Sequence, residues 1–182
     1  MELEETRLAG SRVFDGRLLK VDLDTVRLPN GAQAVREVVR HPGAVVIVPV
    51  DGEGNVHLVR QFRYPCGRAL LEVPAGKLEP GEEPFPAAMR ELEEEIGARA
   101  GQWLPMGELL PTPGFCDELQ HVYLARELTF GTVHPDEDEF LEQVVLPMDR
   151  AVAMAADGQL QDCKTVAALL RARLLMEGER HG

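Results

Sequence analysis

Three glutamates, at positions 91, 94 and 95, are the residues whose type and spacing point most directly to chemistry. A helix advances about 100° per residue, so side chains three and four positions apart lie close together on its surface. Three like charges on one turn repel each other, and a hard divalent cation such as Mg²⁺ would turn that repulsion into a binding site. The cluster therefore indicates metal-assisted chemistry on a phosphate-bearing substrate.

Apolar residues at helical spacing predict the amphipathic helix that must carry this cluster. Glu91 and Glu95 border its apolar stripe, and Glu94 lies further round toward solvent. Pro84 suits the first turn, where its missing N–H costs no hydrogen bond, and Gly97 suits the C-terminal cap. The residues of the stripe are Phe85, Ala88, Met89, Leu92 and Ile96.

Strands are predicted on both sides of this helix. An Asn30-Gly31 turn favours an N-terminal antiparallel hairpin, and the residues before position 17 read as a polar lead-in. The predicted strands are 17–28, 34–40, 43–50, 56–62, 70–73, 103–110, 119–128 and 143–147, and the further helices are 148–157 and 163–177. Strands before and after a central helix, with a closing helix, indicate a mixed α/β sandwich.

Composition limits the classes of function. A chain of 182 residues fits one domain with at most a small appended segment, and 45% hydrophobic residues can form a core. The net charge of −12 argues against nucleic-acid binding, which needs a basic surface. Acid is concentrated at 76–98 and again at 136–142. Two such patches are typical of a multi-metal site formed by a helix and a loop.

The cysteines and the apolar runs bear on location. Cys66, Cys116 and Cys163 are odd in number and widely spaced, which indicates free thiols in a reducing compartment. No apolar run approaches the roughly 20 residues of a membrane span. The first ten residues lack the apolar stretch of a signal peptide. We therefore expect a cytoplasmic protein with no membrane partner.

The spacing from Gly76 onward resembles the Nudix box, G-x5-E-x7-R-E-U-x-E-E-x-G-U with U aliphatic. The matching residues are Gly76, Glu82, Arg90, Glu91, Leu92, Glu94, Glu95 and Gly97, and Ala98 is a small occupant of the last position. A solvated charged helix face would explain the glutamates alone. It would not place Glu82, Arg90 and both glycines at their required positions.

The resemblance implies a fold and a domain organisation. It implies a Nudix-type α/β/α sandwich with a mixed sheet over residues 41–182. Residues 1–40 would form an antiparallel strand segment used in dimerisation, since the members that this chain resembles form homodimers.

Residues that flank the box narrow the resemblance. The segments 59–65 and 71–76 are similar to those of the ADP-ribose pyrophosphatase branch, and so is Thr112-Pro113-Gly114. The branch implies Mg²⁺-dependent hydrolysis of ADP-ribose to AMP and ribose 5-phosphate, with Mn²⁺ as a possible substitute ion. The alternatives are another nucleotide diphosphate (GDP-mannose, NADH or a flavin dinucleotide) and a Nudix regulator that binds ligand without turnover.

The resemblance also implies roles for the residues of the box. Glu91 and Glu95 would bridge the metals, Glu94 would be a further ligand, and the main-chain carbonyl of Ala75 would complete one metal's shell. Glu95 counts as catalytic through the metals it holds. Around these ligands, Glu82 would orient ligands or water, Arg90 would tie the glutamates to the loop, and Gly76 would allow a tight fold.

A base and the substrate contacts are expected outside the box. We expect Glu137 to be the general base, with Glu139 assisting or binding a metal; the reverse assignment and a merely solvated loop are the alternatives. Arg63 should face the diphosphate, because arginine offers paired donors to phosphate oxygens; a surface strand arginine is the alternative. The further substrate-binding candidates are Arg60, Glu72, Pro113 and Glu118, of which Glu72 and Glu118 would contact ribose or adenine.

Overall fold

The structure is a computed structural model that describes residues 3–132 and 140–181. Its chain divides into two compact units. The first unit comprises Met1–Gly43 and Leu110–Leu119, and the second comprises Ala44–Leu109 and Gln120–Gly182. The first unit therefore includes a ten-residue segment that the sequence prediction placed with the second domain.

An antiparallel sheet of three strands, in the order β1-β2-β3, forms the first unit. The strands are β1 (Thr6–Asp15), β2 (Lys20–Arg27) and β3 (Gln33–Arg40). The predicted hairpin corresponds to β2 and β3, and their turn is closed by a hydrogen bond from the Gly31 N–H to the Leu28 carbonyl at 2.9 Å. Asp117, from the second segment of this unit, accepts the His41 N–H at 2.8 Å.

The prediction of a polar lead-in before residue 17 was wrong, because Thr6–Asp15 is a full strand. All ten of its residues are exposed, so it has no buried face whose apolar period could reveal it. Its pairing with β2 is main-chain pairing, from Thr6 opposite Arg27 to Asp15 opposite Lys20, and it is supported by side-chain charge.

Ion pairs cross this sheet from strand to strand. Arg7 donates to Asp24 at 2.8 Å, and Arg40 donates to both Asp22 and Asp24 at 2.9 Å. Hydrogen bonds from Arg12 and then Arg40 lower the pKa of Asp22 to about 2. Opposite charges placed across neighbouring strands fix which residues face each other, so charge sets a register that apolar patterning leaves open.

Two sheets and three helices form the described part of the second unit. One sheet has the order β10-β5-β6 and is antiparallel; the other has the order β7-β4-β9-β8, with β4 and β9 parallel. The strands are β4 (Ala44–Pro49), β5 (Asn55–Arg63), β6 (Arg68–Glu72), β7 (Ala75–Lys77), β8 (Ala98–Leu109), β9 (Gln120–Phe130) and β10 (Leu141–Pro147). The helices are α1 (Pro84–Ile96), α2 (Met148–Ala156) and α3 (Cys163–His181).

Strand β4 supplies both hydrophobic cores of this unit. Val45 and Ile47 point into the core that contains the apolar face of α1. Val46 and Val48 point into the other core, which contains apolar residues of α2 and α3. Every residue of β4 is buried, as its uninterrupted apolar sequence predicts. Helices therefore cover both faces of the sheet, and the predicted mixed α/β sandwich is confirmed.

The helix that carries the glutamates ends as predicted. Gly97 adopts a left-handed φ of 64°, and its N–H bonds back to the Glu93 carbonyl at 3.0 Å. Strand β8 begins at once, at Ala98, five residues before the predicted start. Ala98 is fully buried, and a small residue there lets the strand follow the cap directly. Among the described residues, no helix is both long and apolar enough to cross a membrane.

Candidate active site

Helix α1 places its carboxylates partly inside the protein. Glu91 and Glu95 are buried, at 8% and 4% relative exposure, beside the fully buried Leu92. Glu94, which precedes Glu95 on the helix, is half-buried. The sequence prediction placed Glu91 and Glu95 at the border of the apolar stripe, and the structure has them there. A buried carboxylate is costly unless cations or N–H donors surround it, so the neighbours of this pair matter.

Arg90 donates hydrogen bonds to three glutamates of the box. Its Nε and Nη2 donate to the two carboxylate oxygens of Glu82 at 3.0 and 3.1 Å, and Nη1 donates to Glu91 and Glu94, each at 2.8 Å. These partners raise the pKa of Arg90, the hydrogen bond to Glu82 most of all. The arginine thus holds Glu82, Glu91 and Glu94 in one place.

Strand β7 lies directly against the buried carboxylates. A Cβ on Gly76 would stand 1.8 Å from Glu91 Oε1, so only glycine leaves room for that carboxylate. The neighbouring Ala75 N–H donates to Glu95 Oε2 at 3.3 Å. Both strand residues are held in place by pairing with β4, Ala75 opposite Val46 and Gly76 opposite Val45.

The donor set fits a hard divalent cation in kind. Carboxylates of Glu91, Glu94 and Glu95 and the carbonyl of Ala75 are oxygen ligands, which Mg²⁺ prefers. In residues 3–132 and 140–181, no three histidine, cysteine or acidic side chains already converge on a metal position. The guanidinium of Arg90 is the cation that Glu91 and Glu94 contact here.

Arg63 and Glu72 form a bidentate pair beside this region. Arg63 Nε donates to Glu72 Oε1 at 2.7 Å, and Nη2 donates to Oε2 at 2.8 Å. Hydrogen bonding to Glu72 raises the pKa of Arg63, and the charges of Asp162 and Glu95 add to this effect. Arg60, in contrast, makes a surface contact of 3.3 Å with Glu142.

The sequence did not predict the hydrogen bonds that join the start of α3 to Val73. Thr165 is fully buried, and its Oγ1 accepts the Val73 N–H at 3.0 Å. Asp162 caps the helix by accepting the Thr165 N–H at 3.0 Å. An Asp-x-x-Thr pattern before an apolar run was the available signal for the cap. The contact with Val73, two residues before Ala75, had no local signal.

The remaining predicted site residues lie elsewhere. Pro113 and Glu118 belong to the first unit, in its segment Leu110–Leu119. Glu137 and Glu139 lie outside the described residues. The structure thus brings the box residues together in the second unit, with Ala75, Arg63 and Glu72 near them.

The second unit is thus a mixed α/β sandwich with buried carboxylates on a helix that face a glycine of a neighbouring strand. Oxygen ligands of this kind suit divalent ions, which assist the hydrolysis of phosphate anhydrides. Comparison with known proteins gives the family. The NUDIX domain model matches residues 39–169, and the model for the nucleoside diphosphate sugar hydrolase N-terminal domain matches residues 5–39. The chain belongs to the Nudix family, and it is a hydrolase that acts on diphosphate bonds.

Individual relatives cover almost the whole chain. An ADP-ribose pyrophosphatase of Bacillus subtilis (strain 168) is 41% identical over 92% of this chain and 91% of its own length. A methanol dehydrogenase activator of Bacillus methanolicus is 40% identical, covering 91% of each. A crystal structure of an ADP compounds hydrolase superposes with a TM-score of 0.87 at 27% identity, covering 98% of both chains.

The close approach of Gly76 to the Glu91 carboxylate leads to a testable prediction. A methyl group in Gly76→Ala would displace that carboxylate, and a displacement of about 1 Å in a catalytic site lowers turnover by about 100-fold. Steady-state kinetics on a hydrolysed nucleotide diphosphate measure the loss. Gly52→Ala is the matched control, because a Cβ at that turn meets nothing within 4 Å. Equal activity in both variants would contradict the placement of Glu91.

Proposed function

We propose that this chain hydrolyses the diphosphate of ADP-ribose to AMP and ribose 5-phosphate, with Mg²⁺ as its ion and Mn²⁺ as a substitute. The observation that carries the chemistry is the buried pair Glu91 and Glu95, one turn apart on α1 and beside β7. The choice of substrate draws support from the ADP-ribose pyrophosphatase that is 41% identical over nearly the full chain.

In the proposed mechanism, Glu91, Glu94, Glu95 and the Ala75 carbonyl would hold the ions. Bound divalent ions supply charge neutralisation at the phosphate oxygens and a lower pKa for an attacking water. Arg90 keeps Glu82, Glu91 and Glu94 in position by its hydrogen bonds. The water oxygen forms a bond to one phosphorus while the bond from that phosphorus to the bridging oxygen breaks.

A carboxylate outside the box takes the proton of that water. We propose Glu137 as this base and Glu139 as its assistant, because the box carboxylates are already engaged with Arg90 and β7. Substrate recognition is assigned to Arg63 and Arg60 for the diphosphate and to Pro113 and Glu118 for the nucleoside and ribose groups. The expected contact of Glu72 with ribose or adenine is replaced by an indirect role, because its carboxylate is 1% exposed and is bound by Arg63. Arg63 has the strongest support, since two hydrogen bonds to Glu72 orient its guanidinium.

A turnover panel tests the substrate. ADP-ribose, GDP-mannose, NADH, a flavin dinucleotide and diadenosine polyphosphates are compared with Mg²⁺, and we expect the highest kcat/KM for ADP-ribose. Hydrolysis leaves products with terminal phosphate groups, so a phosphatase added afterwards releases inorganic phosphate. The control is Glu95→Gln, which should be inactive on every member. A clear preference for another member would refute the ADP-ribose assignment and leave the family unchanged.

Substitutions in the acidic segment 136–139 test the base. Glu137→Gln should lower kcat by about 100-fold or more, since general base catalysis contributes that much, while KM changes by less than about threefold. Asp136→Asn removes one charge from the same segment and serves as the control. Turnover near that of wild type in both Glu137→Gln and Glu139→Gln would remove this segment from the mechanism.

A second candidate function follows from the relative named as a methanol dehydrogenase activator, which is 40% identical. The chain would then act on a partner enzyme. A regulator that only binds needs no turnover, whereas Glu91, Glu94 and Glu95, to which we assign metal binding, are all present in this chain. The same panel tests such a non-catalytic regulator, because release of phosphatase-sensitive phosphate groups requires catalysis.

We also propose that the chain forms a homodimer through the first unit, residues 1–40 being its dimerisation segment. Strand β1 is wholly exposed and presents Leu8, Val13 and Phe14, and Val35 of β3 is exposed as well. An apolar surface of this kind on a small sheet is typical of an interface.

The free thiols of Cys66, Cys116 and Cys163 support a location in the reducing cytoplasm, which cell fractionation tests.

Light scattering measures the oligomeric state. We expect twice the 20.1 kDa of one chain at micromolar concentration, and Val13→Asp should shift the protein toward the monomer. Leu174→Asp introduces the same charge at an exposed leucine of α3 and should leave the mass unchanged. A fully active wild-type monomer would contradict the dimer.

A further inference from the structure

Lys164 lies at the N-terminal end of α3, where a helix disfavours a positive charge. It is the second residue of α3, and the positive end of the helix dipole destabilises a neighbouring positive charge. Its side chain is nevertheless mostly buried, at 12% exposure, with Nζ donating to Asp162 at 2.9 Å and to Glu72. A lysine that is buried at a helix N-terminus, where a positive charge is disfavoured, indicates that its charge acts on a group outside its own helix.

Glu72 is the residue that gains most from this contact. It is 1% exposed, and its two oxygens receive Arg63 on one side and Lys164 on the other. Burial would raise the pKa of Glu72, but hydrogen bonds from Arg63 and the charge of Lys164 outweigh it and lower the pKa. The carboxylate therefore stays charged, which is the state that can accept two N–H groups from one guanidinium.

The charges of this cluster balance. Arg63 and Lys164 carry two positive charges, and Glu72 and Asp162 carry two negative ones. Without Lys164 the same cluster would be negative by one charge, close to where an anionic diphosphate has to bind. Lys164 thus offsets Glu72, so that the charge of Arg63 can act on a ligand.

Arg63 keeps donors for such a ligand. A guanidinium has five N–H groups, and Arg63 directs one from Nε and one from Nη2 to Glu72. Within the described residues, Nη1 makes no hydrogen bond. The edge of the guanidinium that includes Nη1 can therefore bind phosphate oxygens while Glu72 holds the other edge.

We propose that Lys164 is a positioning residue, which through Glu72 holds Arg63 in the orientation that binds the substrate diphosphate. The inference rests on the proposed function, since it concerns the same substrate. It adds a residue of α3 to the proposed site residues of α1 and of the strands β5 to β7.

The test compares Lys164→Met and Lys164→Arg with wild type, using Arg173→Met as the matched control. Arg173 is also a cation of α3 with two carboxylate partners, Asp149 and Glu177, but it makes no contact with Glu72. Lys164→Met should raise KM for ADP-ribose by about tenfold and change kcat by less than about threefold, because Arg63 binds ground state and transition state alike. Lys164→Arg should restore KM, and Arg173→Met should match wild type.

A second readout follows Arg63 itself without any turnover. The Arg63 Nε–H is detected by ¹H–¹⁵N NMR and assigned with Arg63→Lys. Its exchange with water should be slow in wild type and in Lys164→Arg, and at least about tenfold faster in Lys164→Met, since a weakened hydrogen bond exposes the proton.

The outcomes separate the two proposals. A lower melting temperature for Lys164→Met, with KM and Nε–H exchange as in wild type, would show a structural lysine and overturn the inference. A wild-type enzyme that leaves ADP-ribose intact refutes the proposed substrate, and the NMR exchange rates then decide the role of Lys164 alone. Faster exchange in Lys164→Met supports the inference in either case.

Discussion

The burial of carboxylates is the constraint on which the rest of the second unit depends. Glu72, Glu91 and Glu95 are all almost inaccessible to water, and each such charge destabilises the fold unless donors or cations surround it. The structure surrounds them with donors from several elements: the side chains of Arg90 on the same helix, Arg63 of β5 and Lys164 of α3, and the main-chain N–H of Ala75 in β7. A fold that keeps carboxylates in its interior has to bring such partners to the same place.

Strand β4 makes that convergence possible. Its residues alternate between two cores, so α1 packs on one face of the sheet and α2 and α3 on the other. The chain from Glu72 to Gly76 runs past both helices: Glu72 and Val73 contact α3, and Ala75 and Gly76 contact α1. Five consecutive residues therefore connect the cluster of Arg63, Glu72 and Lys164 on one side with the carboxylates of α1 on the other.

The sequence predicted the features that depend on local pattern. The glutamate spacing on α1, the Gly97 cap and the buried β4 all follow from periods and residue types that a short window contains. The predicted apolar stripe of α1 was right only in part: Ala88, Leu92 and Ile96 are buried, whereas Phe85 and Met89 are exposed. Strand β1 was not predicted because all of its residues are exposed, so its sequence has no apolar period. It is held by main-chain pairing with β2 and by ion pairs between the strands. The cluster of Arg63, Glu72 and Lys164 escaped for another reason. It pairs residues 92 positions apart, and which distant charges meet depends on tertiary packing.

The hydrogen bond between Thr165 and Val73 has a consequence for how the protein is made. Val73 is buried, and its N–H is satisfied by a hydroxyl that lies 92 residues later in the chain. While the ribosome is still translating those residues, the link between β6 and β7, which leads to Ala75, has a donor with no side-chain partner. Water can satisfy that donor only while the site stays open, because a buried unpaired N–H is costly. The buried position of Val73 therefore requires the first turn of α3 to be docked.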